Sequence, residues 1–364
     1  MAETFSISEL IVPGTYIRVL SEGLIGVGGI PTGNIGVVGT VAAGNANVGT
    51  TQILSDYATA QSLFGTYDAF SAGTLNLTRA IELLYLNGAS TVYARALPLG
   101  AGGAQPGQAD YTAAFDELIK EQVNILVAPQ LSTDDAKAVL TPVLNDGENA
   151  GTDMIGVIGS DKTAVADITA QAPTNGRIVL TSPGIQAYDS AAQQTVTLPG
   201  NYSAAAVAGL LSTLTPQSSP TNKSLAGVVH LAKKWSYGEM KTLLSGRVMV
   251  LEERGDVRVV RGLTTDSGAF AQVTTRRIVD FAKAGIRAAS DPFIGRLNNA
   301  RVRAALAGAI NGFLTSMVQD EALISYTLDV SATRADEIAG RAIVNAILAP
   351  TFSIDFIAVT LVLQ

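Results

Sequence analysis

Between Tyr111 and Thr181 the chain alternates helical and strand patterns, and no other feature restricts its possible folds as much. Tyr111–Glu121 carries helical spacing and Asn124–Ala128 reads as a strand. Ser132–Leu144 is a helix with Ser132 as N-cap and Asp135 at the capping-box position. Met154–Gly159 then reads as strand, Lys162–Ala170 as helix and Ile178–Thr181 as strand. Such alternation predicts a layered α/β domain with at least some parallel strands.

The flanking segments extend this pattern. Before it, Asn34–Thr40, Ile53–Asp56 and Thr91–Ala96 read as strands, and Ala58–Phe64 and Leu75–Leu86 as helices. After it, Ser203–Leu214 is helical, and the Pro/Ser/Thr/Asn-rich run Thr215–Lys223 is the expected domain boundary. Further on come a helix over Glu239–Leu244, a strand at Val248–Leu251, and a hairpin turning at Glu253–Asp256. Two long helices follow, Thr275–Ala289 and about Gly295 to Asp320, and then strands Leu323–Val330 and Ala342–Leu348. The expected class is α/β (α+β), with boundaries at 1–20, 21–215, 216–348 and 349–364.

The two ends read differently from the middle. Phe5, Ile7, Ile11 and Tyr16 lie on a weakly alternating stretch that Pro13 confines to an edge strand or an extended arm. At the other end Phe352–Leu363 reads as a strand apolar on both faces, with Ile354, Phe356 and Ala358 one way and Ile357, Val359 and Leu361 the other. A strand of that kind needs burial on both faces. Either it is internal to its own sheet or it satisfies the open edge of another copy.

Composition narrows the chemistry. Hydrophobic residues make up 47% and charged residues 15%, which suits a chain that hides much of its exterior. With no cysteine and one histidine, His230, neither a disulfide framework nor a His-based metal cluster can be assembled. His230 sits in an apolar run and reads as structural. Gly26-Val27-Gly28-Gly29-Ile30-Pro31 has proline where a dinucleotide fingerprint needs its third glycine, and no phosphate loop exists elsewhere. No catalytic constellation or cofactor site is expected. The start lacks a signal-peptide pattern, and the longest apolar stretch, Ile354–Leu363, is about half a membrane span. A soluble protein made in a bacterial cytoplasm is expected, with no membrane insertion.

Charge is uneven. Residues 1–175 hold 6 Lys/Arg against 17 Asp/Glu, and residues 176–364 hold 18 against 14. The basic excess concentrates at 276–303, where seven Lys/Arg face Asp280 and Asp291. Arg296 and Arg303, seven apart, are expected on one helix face with Arg301 nearby. Aromatic interleaving is absent, so an acidic protein partner is favoured over nucleic acid.

Five stretches, in order along the chain, resemble the contractile tail-sheath family of myophages, phage-tail-like bacteriocins and related injection systems. They are Val12-Pro13-Gly14-Thr15-Tyr16-Ile17 with the glycine-studded Asn34–Thr40; Leu198-Pro199-Gly200-Asn201-Tyr202-Ser203 running on to Gly209; Asn222–Val228; Gly255–Thr264 with Arg276-Arg277-Ile278; and Ala339-Gly340-Arg341 through Pro350 to the end. The resemblance implies an outer α/β domain (21–215), an inner α/β domain (216–348) and two terminal strand arms. It implies hexameric rings stacked helically around an inner tube protein, capped by baseplate and terminator proteins. The arms would join a sheet in a neighbour, with Ile324, Tyr326, Leu328, Ile343, Val344 and Ile347 on the receiving strands. Arg296, Arg301 and Arg303 would be the tube contacts. The alternative reading is a dinucleotide-dependent α/β enzyme, resting on the strand–helix alternation alone.

Overall fold

The computed structural model describes residues 29–67 and 75–362. Phe5, Ile7, Ile11 and Tyr16 lie outside the described residues. The fold is mixed α/β, as the alternation requires. Strands β1 (Ile35–Thr40), β2 (Thr51–Leu54), β3 (Val92–Leu97), β4 (Ile125–Val127), β5 (Ile155–Gly159), β6 (Ile178–Ser182), β10 (Met249–Arg254) and β11 (Asp256–Val259) build one sheet. Their order is β11-β10-β6-β5-β4-β1-β3-β2. The six central strands are parallel, and the edge strands β2 and β11 run antiparallel.

Burial explains the sequences of the central strands. β1, β5 and β6 are buried at every position, so they read as continuous apolar or small runs rather than alternating ones. Side chains alternate between two cores. Ile35 and Val37 point into one with Ile81, Leu84, Ala205 and Leu211, while Val38 and Leu126 join Phe115, Leu140 and Leu144 in the other. The first core is covered by α2 (Leu77–Leu86) and α6 (Gly200–Thr213), the second by α3 (Gln108–Leu118) and α4 (Thr133–Ala150). The expected Ser132 cap of α4 is present, its hydroxyl accepting from the Asp135 N–H.

α6 is buried almost all round, which is why it is built from Ala204–Ala208, Gly209 and Leu210–Leu211 instead of an amphipathic stripe. Its first turn lies directly on the end of β5. A Cβ on Gly159 would stand 1.8 Å from the Gly200 carbonyl oxygen, and one on Gly200 would stand 2.0 Å from that of Ser160. Both obstacles are backbone and cannot rotate away. Gly159→Ala is therefore expected to cost about 3 kcal/mol, the upper end of ordinary overpacking penalties. Denaturant unfolding checks this; a loss under about 0.5 kcal/mol, typical of an unconstrained surface site, would contradict it.

One segment had no strand reading in the sequence. Gly184–Leu198 forms a hairpin of β7 (Ile185–Asp189) and β8 (Gln194–Leu198), joined by the two-residue β9 (His230–Leu231) into a small separate sheet. The turn needs Gln193 at φ 51°, a conformation with no glycine to announce it. His230 is half exposed rather than in an apolar pocket, with Nδ1 3.1 Å from Glu253 Oε1, to which Lys234 also donates.

The chain divides by compactness between Phe281 and Ala282, inside helix α8 (Val273–Ser290), and not within Thr215–Lys223. That polar run lies along β11: the Asn222 and Leu225 N–H groups donate to the Val259 and Val257 carbonyls, and the Val259 N–H to the Lys223 carbonyl. It covers an edge that would otherwise be open, and residues 216–281 belong with the large sheet. The C-terminal residues from Phe352 also belong to this unit.

The other unit, described over Ala282–Thr351, contains the end of α8, α9 (Ala300–Gln319), β12 (Leu323–Ser331), α10 (Arg334–Ile338) and β13 (Ile343–Pro350). α9 begins at Ala300 rather than Gly295. Gly295 takes φ +83°, and the Asn299 side chain caps the helix by accepting from the Val302 N–H. Arg296 therefore precedes the helix, and the expected shared face with Arg303 does not exist.

Candidate functional site

Among the described residues the two-faced apolar end has no partner strand. Residues 351–362 form neither helix nor strand, so the expected strand over Phe352–Leu363 is not made here. A strand exists only through the partner that pairs with it, and the described residues supply none. Over 351–356 burial alternates with an inverted sense: Ser353 and Asp355 turn inward, while Phe352, Ile354 and Phe356 turn out. Ile354 is 80% exposed, and Ile357, Val359 and Leu361 are exposed to a similar degree, as is the smaller Ala358.

β12 and β13 form a two-stranded antiparallel ribbon running from Leu323↔Pro350 to Ser331↔Ile343. Among the described residues neither outer edge is paired with another strand. One face turns to α9: the Tyr326 hydroxyl is 2.7 Å from Asn311 Oδ1 and 2.8 Å from Thr315 Oγ1. Tyr326 and Leu328 line an open groove with Ala307, Gly308 and Asn311. Val344, opposite Val330, shares that face. Ile343 and Ile347 lie on the other face, opposite Ser331 and Thr327, and Ile347 is exposed. Ile324 sits at a register irregularity and is exposed too. The six receiving candidates thus divide between a half-buried face and an open one. Ribbons of two strands are marginal alone, and unpaired ladder groups along nine- and eight-residue strands are a template for addition.

The basic stretch dissolves into separate roles. Arg276 is buried against Asp280 and stacks over the Phe270 ring at 4.0 Å. Arg277 donates to the Leu214 and Thr32 carbonyls, and burial brings its pKa down to about 10. Arg303 bridges to Glu337 at 3.0 Å and donates to Asn298 Oδ1 at 2.8 Å, so it braces the loop before α9. Arg296 and Arg301 are exposed, and the same loop carries Ile294 and Leu297, both 80% exposed. The sequence reading missed these two apolar residues. Their signal is an apolar pair interrupted by Gly295 and Arg296 beside Pro292, at the start of the stretch that reads as helix from about Gly295.

The sheet's switch point tests the enzyme alternative. Strand order reverses at β1/β4, where open α/β sheets hold ligands beyond the carboxyl ends of the strands. Here Gln130 occupies that place. Its Nε2 donates to Thr40 Oγ1 at 2.7 Å and to the Leu75 carbonyl at 3.0 Å, and its Oε1 accepts from the Thr40 N–H. At the neighbouring strand end Thr133, Ser160, Asp161 and Gln171 bond to one another. These polar side chains are thus bonded to one another and to the backbone, and a groove lined by Arg95, Leu97, Gln105 and Asp110 lies at the carboxyl end of β3.

Residues 104–265 match the family described as the phage tail sheath protein central domain, and residues 265–364 match the phage tail sheath C-terminal domain. The chain belongs to the phage tail sheath family.

Solved structures agree on the fold of this sheath protein. It is similar to the anti-feeding prophage helical sheath in its contracted state, at 16% identity over 96% of this chain and 99% of that one, with a TM-score of 0.76. The sheath complex of the extracellular contractile injection system PVC, also contracted, gives 16% identity, 96% and 97% coverage and 0.74. The sheath tail protein from Desulfitobacterium hafniense gives 14%, 93% and 100%, and 0.66. No curated protein matches the sequence. As a member of this family the chain is a structural subunit of a contractile sheath.

Proposed function

We propose that this sheath subunit polymerises as stacked hexameric rings around an inner tube protein, and that contraction of the stack drives the tube through a target envelope. In this reading residues 1–20 and 349–364 are arms. The C-terminal arm is added to an open edge of the β12–β13 ribbon of another copy, where Ile343, Ile347 and Ile324 offer apolar surface. Arg296 and Arg301, with Ile294 and Leu297, face an acidic tube. Baseplate and terminator proteins close the stack, which is assembled in a bacterial cytoplasm, in a virion tail or a related injection particle.

The observation that carries this reading is the pairing of donor and acceptor within one chain. Among the described residues, an apolar end without a partner strand coexists with a ribbon whose edges are unpaired. Contraction then needs no nucleotide: one set of contacts between subunits is exchanged for a more favourable set. Negative-stain microscopy of the purified full-length chain tests the proposal. Long hollow tubes are expected, and small discrete particles at all concentrations would sink it.

A further inference from the structure

Asp355 is the sole charged residue after Arg341, and it is the one point at which the exposed C-terminal arm turns a charge inward. Its side chain is 5% exposed although the residues on either side are open to solvent. Oδ2 accepts from Arg261 Nε at 2.6 Å and from Gln272 Nε2 at 3.0 Å, and Oδ1 lies 3.4 Å from the Thr221 hydroxyl. Gln272 also receives the Ser353 N–H on Oε1 at 3.2 Å, and the Arg261 guanidinium stands 5.1 Å from the centre of the Phe356 ring.

These groups come from three separate places. Thr221 belongs to the polar run along β11 and also accepts from the Gly262 N–H; Arg261 follows β11; Gln272 immediately precedes α8. A carboxylate removed from water is stable only when paired and hydrogen-bonded, and this socket does both. Nothing about an arm meant only to be buried in a neighbour requires an acid at this position.

We propose that Arg261, Gln272 and Thr221 form a clip that grips the arm at Ser353–Phe356 and so sets its free length and the face it presents. The inference rests on the arm reading above. With the clip closed, free chain begins at Ile357, and eight residues span at most about 26–29 Å. Opened, thirteen residues from Phe352 reach about 43–47 Å. The clip also fixes alternation: with Ser353 and Asp355 held inward, Phe352, Ile354 and Phe356 must point out. A slip of one residue would reverse every side chain offered to the acceptor. Arg261, Gln272 and Asp355 are thus positioning residues for assembly.

Hydrogen exchange on the full-length chain, kept dilute enough not to polymerise, reads the clip directly. In the parent protein the Ser353 amide is expected to exchange at least tenfold more slowly than those of Ile357–Val362. Asp355→Asn and Arg261→Met should each remove that protection, and the two together should do no more than either alone. Both variants should remain folded by circular dichroism, because release of the arm returns the surviving partner, Arg261 or Asp355, to water. Both variants should polymerise at least tenfold less readily, with recovery in the reversed pair Arg261→Asp with Asp355→Arg. Equal exchange at Ser353 and Ile357 in the parent overturns the clip. Lost protection with unchanged polymerisation overturns its positioning role. A failure of strand donation itself is seen separately, as normal polymerisation of a chain ending at Phe356, in which the clip is intact.

Discussion

A subunit ending at Phe356 is expected to fold as the parent does and to fail to form tubes. Ile357, Val359, Leu361 and Val362 are each at least 75% exposed, so their removal takes no described residue from the core. In an assembled sheath the same residues would be buried. Full burial of a Val, Leu or Ile side chain contributes roughly 1.5–3 kcal/mol, so Ile357, Val359 and Leu361 together contribute about 4–9 kcal/mol before any ladder hydrogen bonds. Each 1.4 kcal/mol is a tenfold change in an equilibrium constant. Even the lower figure raises the concentration needed for polymerisation by about a thousandfold. Sedimentation and negative-stain microscopy on the truncated chain decide the matter, with circular dichroism verifying the fold. Tubes forming at the parent's concentration would show that the end is not the connector.

The second large effect lies in a buried ionic cluster. Arg177 is 4% exposed and reaches Asp153 at 2.8 Å, Glu148 at 2.8 Å and Asp280 at 3.1 Å, while Arg276 also pairs with Asp280. It ties the start of β6 to the end of α4 and to α8 within the large unit. Arg177→Met leaves Asp153 and Asp280 buried and short of positive charge, and removing one member of such a set costs about 3–5 kcal/mol. At roughly 2–4 °C per kcal/mol for a unit this size, the melting midpoint should fall by about 6–20 °C. Adding Asp153→Asn and Asp280→Asn should recover much of the loss, which would not happen if the cost were lost packing.

The pH dependence has a definite sign. Burial raises the Asp280 pKa, and Arg276 and Arg177 pull it back down. Without Arg177 it rises further. A carboxyl raised in the folded state favours folding below its ordinary pKa of about 4 and loses that contribution as pH climbs through the raised value. The gap between parent and Arg177→Met should therefore be widest near neutrality and narrow on acidification. A gap that stays constant between pH 7 and about pH 4, where an ordinary carboxylate protonates, would contradict the account.

What the sequence determined by itself is local in origin. The alternation at 111–181, the Ser132 cap of α4, the turn between β10 and β11 and the buried character of β1 each follow from period, cap chemistry or apolar run. Such signals lie within a few residues of what they specify. They were enough for an α/β sheet and, with the ordered motifs, for the family. The apolar character of the C-terminal end was equally legible, because it is a property of consecutive residues.

Tertiary structure alone decided which charges face outward and where the chain divides. Arg276 and Arg277 look like surface cations until Asp280, Phe270 and the carbonyls of Thr32 and Leu214 close around them. Arg303 becomes a brace through Glu337, and the polar run at 215–223 becomes an edge cover through Val257 and Val259. The C-terminal end, legible as a strand, has none to pair with among the described residues, and only the fold reveals that Asp355 is seated there by Arg261 and Gln272. Arg276 aside, whose partners Phe270 and Asp280 lie close in sequence, the reason is common to these. A side chain's partner comes from residues tens to hundreds of positions away, and no local period or cap encodes which of them the sheet will bring near.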